Sequence, residues 1–281
     1  MIIAKEEDVM SNANYQIYDF PDSNWLVVCG DIHGDFDSLV NKLCVQYQMT
    51  DTTCIVAGDC GFGFNQEGYY NNLLLQRNNK RMKKANNRIV FVRGNHDNPA
   101  YFDGNIFAHK RFVAIPDYSV VKVTGHCVLC IGGAISIDRR YRQKQQKSYE
   151  NDMKRFGHHF DESNPLRPNL YWEDEAPVFK ESLLNQIVSD NRIDTVVTHT
   201  APSFCEVTSK TGLEDWARID TTLLRDVDEE QLTMDRIYDK LKGLPITHWC
   251  YGHFHQSWHA FIEGTLFKML DIMELYEVRP R

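Results

Sequence analysis

The chain has no apolar run approaching the ~20 residues needed to span a bilayer as a helix, so no transmembrane helix is expected. Residues 1–10 carry Glu6, Glu7 and Asp8 and no basic stretch leading into an apolar core. No secretion signal is therefore expected, and the cytoplasm is the expected compartment. Positive charge is also short. A net charge of -8 disfavours broad attraction to nucleic acid, although Arg77–Arg88 holds six basic residues and no acid, and Arg139–Arg155 seven against Glu150 and Asp152. Both stretches are read as solvated helix faces and a loop in preference to a polyanion-binding surface. No second cysteine pair accompanies Cys127 and Cys130, which lie three apart in a strand-like run and so face opposite sides. Of the eight cysteines several, such as Cys29, Cys54, Cys130 and Cys250, are expected to be buried reduced thiols, disulfides are not expected, and Cys127 and Cys130 are read as structural in preference to a redox or zinc pair. There is no internal repeat and no long linker, and 42% hydrophobic with 25% charged residues is ordinary globular composition. One domain over residues 1–281 is expected.

What the chain does have is a series of strand-like runs that end in metal-capable residues. Trp25–Val28 leads into Cys29-Gly30-Asp31-Ile32-His33-Gly34, where a carboxylate and an imidazole stand two apart in a glycine-bracketed turn. Thr53–Ala57 leads into Gly58-Asp59, Arg88–Val92 into Arg93-Gly94-Asn95-His96-Asp97, Asp194–Val197 into Thr198-His199, and Ile246–Tyr251 into Gly252-His253-Phe254-His255. Asp, Asn and His are ligands of hard to borderline metal ions. Any one of these turns could hold only capping or surface residues; the ordered set points to a metal site.

Between the first three turns, apolar residues recur at helical spacing over Phe36–Tyr47 and near Tyr69–Lys84. Strand, helix and strand in alternation imply parallel pairing, with ligands at the C-terminal ends of the strands. After Asp97 the pattern predicts a meander of Arg111–Ile115, Tyr118–Val123 and Cys127–Gly132. A polar segment at about 135–170 without clear periodicity reads as a lid, an insertion or a substrate loop. Helices are expected over Asp174–Asp190 and Asp228–Lys242, and two closing strands over Trp258–Ile262 and Leu266–Asp271. A strand is also expected at residues 14–18.

Gly30–Gly34, Gly58-Asp59, Gly94–Asp97, Thr198-His199 and Gly252–His255 together resemble the five motifs of calcineurin-like metallophosphoesterases, in that family's order. Gly132–Arg139 and Tyr171–Glu175 are similar to bacterial members. The resemblance implies an α/β fold, a β-sandwich flanked by helices on both faces. It further implies two divalent or mixed-valence transition metal ions, such as Mn, Fe, Zn, Ni or Co. One would be held by Asp31, His33, Asp59 and His255, the other by Asp59, Asn95, His199 and His253, with Asp59 bridging. Their shared hydroxide would attack a phosphate ester in line. His96 is expected to protonate the leaving oxygen or stabilise the charge developing on it, with Asp97 orienting His96 or else forming an exposed salt bridge or a helix cap.

Serine/threonine phosphoprotein phosphatases are similar at Gly30–Gly34 and Arg93–His96, but their second motif continues into an Asp-Arg pair that grips phosphate. Here that stretch is the uncharged Cys60-Gly61-Phe62-Gly63-Phe64. Arg93, Arg139 and Arg142 are the candidate substrate contacts in its place. Phe62, Phe64, Tyr141, Tyr171 and Trp172 are candidate stacking residues. His109, His126, His158, His159, His248 and His259 take no ligand position. The expected function is hydrolysis of a small phosphomonoester or a phosphodiester. The alternatives are a nuclease or protein phosphatase, and a non-catalytic interaction module of the same fold. Nucleic acid is a possible but disfavoured partner, no membrane partner is expected, and no feature of the sequence sets an oligomeric state.

Overall fold

Alternation along the strands explains the layers. In the computed structural model, which describes residues 15–157, 159–205 and 212–279, β2 (Trp25–Cys29) is buried from Leu26 onward. Leu26 and Val28 join one apolar cluster while Val27 and Cys29 join another, as a period of two requires. The same split divides Ile55 from Cys54 and Val56 on β3 (Thr52–Val56), and Val90 from Ile89 and Phe91 on β4 (Arg88–Phe91). A strand buried on both faces needs a layer on each side. One side is covered by α1 (Phe36–Asn41), which continues as a wider turn through Gln46, and by the segment from α2 (Glu67–Tyr70) through α3 (Asn79–Ala85).

The other side is a second sheet. β7 (Ser119–Val123), β8 (His126–Ile131), β9 (Thr195–Thr198) and β10 (His248–Tyr251) give Val121, Val128, Cys130, Val197 and Cys250 to the shared middle core. Their alternate residues, among them Leu129, Val196 and Trp249, pack outward beneath α5 (Glu181–Asp190) and α7 (Leu223–Leu241). Two sheets thus meet face to face with helices outside each.

The six-stranded sheet runs β13-β2-β3-β4-β6-β5, with β5 (Ala108–His109), β6 (Phe112–Ala114) and β13 (Leu275–Val278). The seven-stranded sheet runs β1-β7-β8-β9-β10-β12-β11, with β1 (Ile17–Asp19), β11 (Trp258–Ile262) and β12 (Thr265–Met269). β2, β3, β4 and β6 are mutually parallel. Cys29 pairs with Val56, and Val56 with Phe91, so the loops after these strands emerge side by side. β8, β9 and β10 are likewise parallel.

The expected meander does not exist. β6 pairs with β4 and β5 in one sheet, whereas β7 and β8 pair antiparallel in the other, so the chain changes sheets at Pro116-Asp117. The helix expected from Asp174 begins only at Glu181, because Pro177 cannot sit in a helix interior. The polar segment holds α4 (Arg139–Arg155), of which Arg139 alone is buried. Pairs three or four apart run along it, Arg142 with Asp138, Gln146 with Glu150 and Arg155 with Asp152, so side chains on its own surface support the helix. Among the described residues, no helix is long and apolar enough to cross a membrane.

Candidate metal centre

The parallel register delivers Asp31, Asp59 and Asn95 from adjacent strand ends of one sheet. His199, His253 and His255 come from adjacent ends of the other. Backbone bonds interlock the turns: the N–H groups of Ile32 and His33 donate to the Asp59 carbonyl, and that of Gly252 donates to the His199 carbonyl. His33, Asp59, His253 and His255 have φ of 45°, 46°, 68° and 51°, left-handed values that side-chain-bearing residues adopt at a cost of about 1–3 kcal/mol each. Two glycines admit the carboxylates. A Cβ on Gly94 would stand 2.2 Å from Asp59 Oδ1, and one on Gly252 would stand 2.1 Å from Asp31 Oδ1.

Asp31, His33, Asp59 and His255 each present a ligand atom, all within 4.8 Å of one another. The Nε2 atoms of His33 and His255 approach to 3.0 Å, and Asp31 Oδ2 lies 3.0 Å from the latter. That oxygen is buried and, apart from this ion-pair contact with His255, has no partner and accepts no well-aligned hydrogen bond. Asp31 Oδ1, by contrast, accepts from the His253 N–H at 3.0 Å. A cation at the point where these atoms converge would satisfy Asp31 Oδ2, and carboxylate plus imidazole is a donor set that divalent transition ions accept.

On the far side of Asp59, the Asn95 carbonyl oxygen is 2.8 Å from His199 Nε2 and 3.1 Å from His253 Nδ1, and Asp59 Oδ1 is 3.2 Å from His199 Nε2. His199 turns Nδ1 to the Ala57 carbonyl at 2.7 Å; as an N–H donor there it leaves Nε2 aimed inward. Burial resists protonation of His199, yet Asp59 outweighs it and pushes the group up to about 9, while burial and His199 push His253 down to about 3. Asp59 thus draws positive charge to this point. All seven expected ligands are brought together, with Asp59 between two groups.

His96 lies beside them. Its main-chain N–H donates to Asp59 Oδ1, and its ring Nδ1 is 3.3 Å from Arg142 Nη2. Burial pushes the ring down to about 4, with Arg142 acting in the same direction and Asp59 against it. Phe64 stands 6.4 Å from the His96 ring and 5.8 Å from Trp172.

Three expected roles are corrected. Asp97 does not orient His96. Its buried carboxylate accepts the N–H groups of Gly94 and Cys60 on one oxygen and of Gly61 and Phe62 on the other, tying the Asn95 loop to the loop after Asp59. Arg93 is buried and bonds Asp117 and the carbonyls of Asp174, Glu175 and Ala176, so it clamps a neighbouring segment rather than a substrate. Arg139 is spent on Asp220, Thr222 and Asp226. Of the three arginines, Arg142 is the one beside His96. Among the aromatics, Phe62 is core and Tyr141 packs on Trp216. All eight cysteines are free thiols. His126 pairs with Asp194, His248 bonds Thr247, and His158 lies outside the described residues.

Two buried acids behind the cluster escaped the sequence reading. Glu175 accepts from the Ser136 N–H at 3.0 Å and the Ser136 hydroxyl at 2.5 Å, and that hydroxyl is 2.9 Å from Asn95 Nδ2. Glu230 accepts from the Thr200 hydroxyl at 2.7 Å and from the Ile135 N–H. Ser136 and Glu175 sit in the two stretches, Gly132–Arg139 and Tyr171–Glu175, that had shown resemblance without a role.

A two-sheet sandwich with carboxylates and imidazoles gathered where its parallel strands end is a scaffold suited to holding divalent metal ions. The chain belongs to the calcineurin-like phosphoesterase family, whose model matches residues 25–257. No curated protein sequence matches it.

Proposed function

We propose that the chain is a dinuclear phosphoesterase, with Asp31, His33, Asp59 and His255 holding one divalent ion and Asp59, Asn95, His199 and His253 the other. The observation that carries this reading is the buried, unbonded Asp31 Oδ2 facing the converging His33 and His255 nitrogens, with Asp59 reaching from it to His199. Two bound cations would lower the pKa of a shared water and neutralise charge on the phosphoryl oxygens.

The remaining work falls to residues of the chain. His96 Nδ1 is 3.3 Å both from Arg142 Nη2, which can only donate, and from Asp59 Oδ2, which can only accept; with the Asp59 oxygens given to the metal ions, Arg142 makes Nδ1 the acceptor and leaves the proton on Nε2. His96 then serves as a neutral N–H donor to the departing oxygen, the second of its two expected roles. Arg142 takes the place of the missing second-motif arginine as a contact to phosphate. Its Nε is fixed by Asp138 at 2.7 Å. One guanidinium and an uncharged Cys60–Phe64 loop suit a phosphodiester or small monoester better than a phosphoprotein. Phe64 and Trp172 offer an apolar wall for the leaving group.

The test is hydrolysis of p-nitrophenyl phosphate and bis-p-nitrophenyl phosphate by metal-stripped protein. Manganese, nickel, zinc or iron is added back, with Asp59→Asn as the control. Metal-dependent turnover abolished in Asp59→Asn is expected, with the diester at least matching the monoester. No turnover with any of these metals would refute the assignment.

A further inference from the structure

An asparagine ligand carries an ambiguity that aspartate lacks. Its amide can present either oxygen or NH2 to a metal, and only the oxygen binds. In this chain the choice is made from behind. Glu175 is 1% exposed and lies with both oxygens against Ser136, one on its main-chain N–H and one on its hydroxyl. Burial pushes Glu175 up to about 8, against the Ser136 hydrogen bonds; above that pH it is a carboxylate that only accepts, so the hydroxyl proton points to Glu175. The Ser136 oxygen is then left as an acceptor toward Asn95, which must turn its NH2 to it. Asn95 Oδ1 is thereby forced toward His199 and His253.

We infer that Ser136 and Glu175 are positioning residues that fix the sense of the Asn95 amide, and with it the affinity of the second metal position. This rests on the dinuclear reading above. Ser136 and Glu175 lie 41 and 80 residues downstream of Asn95, and the segments that carry them are both anchored to its loop. The Gly133 N–H donates to the Arg93 carbonyl, the Ala134 N–H donates to the Glu175 carbonyl, and the Arg93 guanidinium binds the carbonyls of Asp174 and Glu175. Arg93 acquires a reason in this way: it holds Glu175 at the distance Ser136 requires.

The polarity argument separates this role from a merely structural one. Glu175→Gln is isosteric and keeps an oxygen for the Ser136 N–H, but it sets an NH2 against the hydroxyl. The hydroxyl proton is then free to turn to Asn95, and the amide loses its fixed sense. Ser136→Ala removes the acceptor altogether.

The experiment is titration of Mn2+ at pH 8.5, where Glu175 is ionised, into the full-length, chelator-stripped protein, followed by calorimetry and by electron paramagnetic resonance of the free ion. Wild type, Ser136→Ala, Glu175→Gln and Asn95→Ala are compared, with thermal melting of each. Wild type is expected to bind two ions. Both outer variants should keep the tighter or looser site that Asn95→Ala also keeps, and weaken the one it loses by about 10–100-fold. Two ions in wild type with unchanged affinities in Ser136→Ala and Glu175→Gln would overturn the inference while sparing the dinuclear reading. Equal weakening of both ions would also overturn it, as the mark of general loosening. One ion or none in wild type would overturn both.

Discussion

Replacing Asp97 with asparagine tests whether this residue organises the site or tunes His96. Its carboxylate is fully buried and receives four main-chain N–H groups at 2.7–2.9 Å. Burial and the nearby Asp59 push it up to about 6, against those same hydrogen bonds, so it is mostly ionised at pH 7.5. In Asp97→Asn, whichever way the amide turns, an NH2 meets two of the four donors. Each buried N–H left without an acceptor costs about 1–3 kcal/mol, or about 2–6 kcal/mol together. Unfolding entropy of about 2.1 cal/mol/K per residue gives roughly 0.6 kcal/mol/K for a chain of this length, so the midpoint should fall by about 3–10 °C. Calorimetry of the metal-stripped variant at pH 7.5 measures this, with kcat/KM for bis-p-nitrophenyl phosphate measured on the reloaded protein. Both should fall, since the two tied loops carry Asp59 and Asn95. An unshifted midpoint with reduced activity would refute the reasoning and return Asp97 to an electrostatic role on His96.

The other expectations separate structural from functional charges. Arg142→Ala should lower kcat/KM on the preferred ester by about 10–100-fold, the worth of one charge-assisted hydrogen bond, and move the melting midpoint little; wild-type kcat/KM would remove Arg142 from the site. Arg93→Ala should lower stability, because removing one partner of a buried pair costs about 3–5 kcal/mol, a fall of several degrees in calorimetry, and should also weaken the metal position that Asn95 serves, since Arg93 holds the Glu175 segment. Glu230 gives a pH dependence. Burial raises it from 4.5 to about 7, so the folded chain holds a proton that the unfolded chain releases. Its contribution is intact below pH 4.5 and is lost as pH rises through 7, about 3 kcal/mol in all. Relative to Glu230→Gln, the wild-type midpoint should therefore drop by about 5 °C between pH 4.5 and 8.5, and parallel pH curves would refute it.

The parts of the fold legible in the sequence are those whose faces are both dictated by burial. β2, β3 and β4 read as apolar runs because two layers cover them, and the ligand-bearing turns read clearly because Gly, Asp and His recur at each strand end. α4 was illegible for the opposite reason. A helix that buries one residue leaves no apolar stripe to find, and its supporting pairs are spread among ordinary surface residues. The change of sheet after β6 was missed because pairing partners are a tertiary fact: consecutive strands with turn residues between them look alike whether they pair or part. β13 is short and only its last residue is buried, so nothing distinguished Leu275–Val278 from a tail.

The site divides along a similar line. Metal ligands were legible because their chemistry restricts the residue types and the fold restricts their places. The groups that hold those ligands were not, since serine and glutamate are common on any surface and only burial marks them out. One signal was nevertheless present. α7 buries Leu223, Met234, Ile237 and Leu241 along one stripe, and Glu230 stands in that same stripe, four residues before Met234. A carboxylate on the apolar face of a helix must be met by donors, and here Thr200 and Ile135 meet it from the segments that follow His199 and precede Ser136. Glu175 offers no such periodicity, because it lies in a loop, and its role emerges only when Ser136 and Asn95 are brought to it. Charges that break a pattern can therefore be found from sequence, whereas charges in patternless segments wait for the fold. For this chain that difference separates Glu230, which braces the loop, from Glu175, which sets the sense of a ligand.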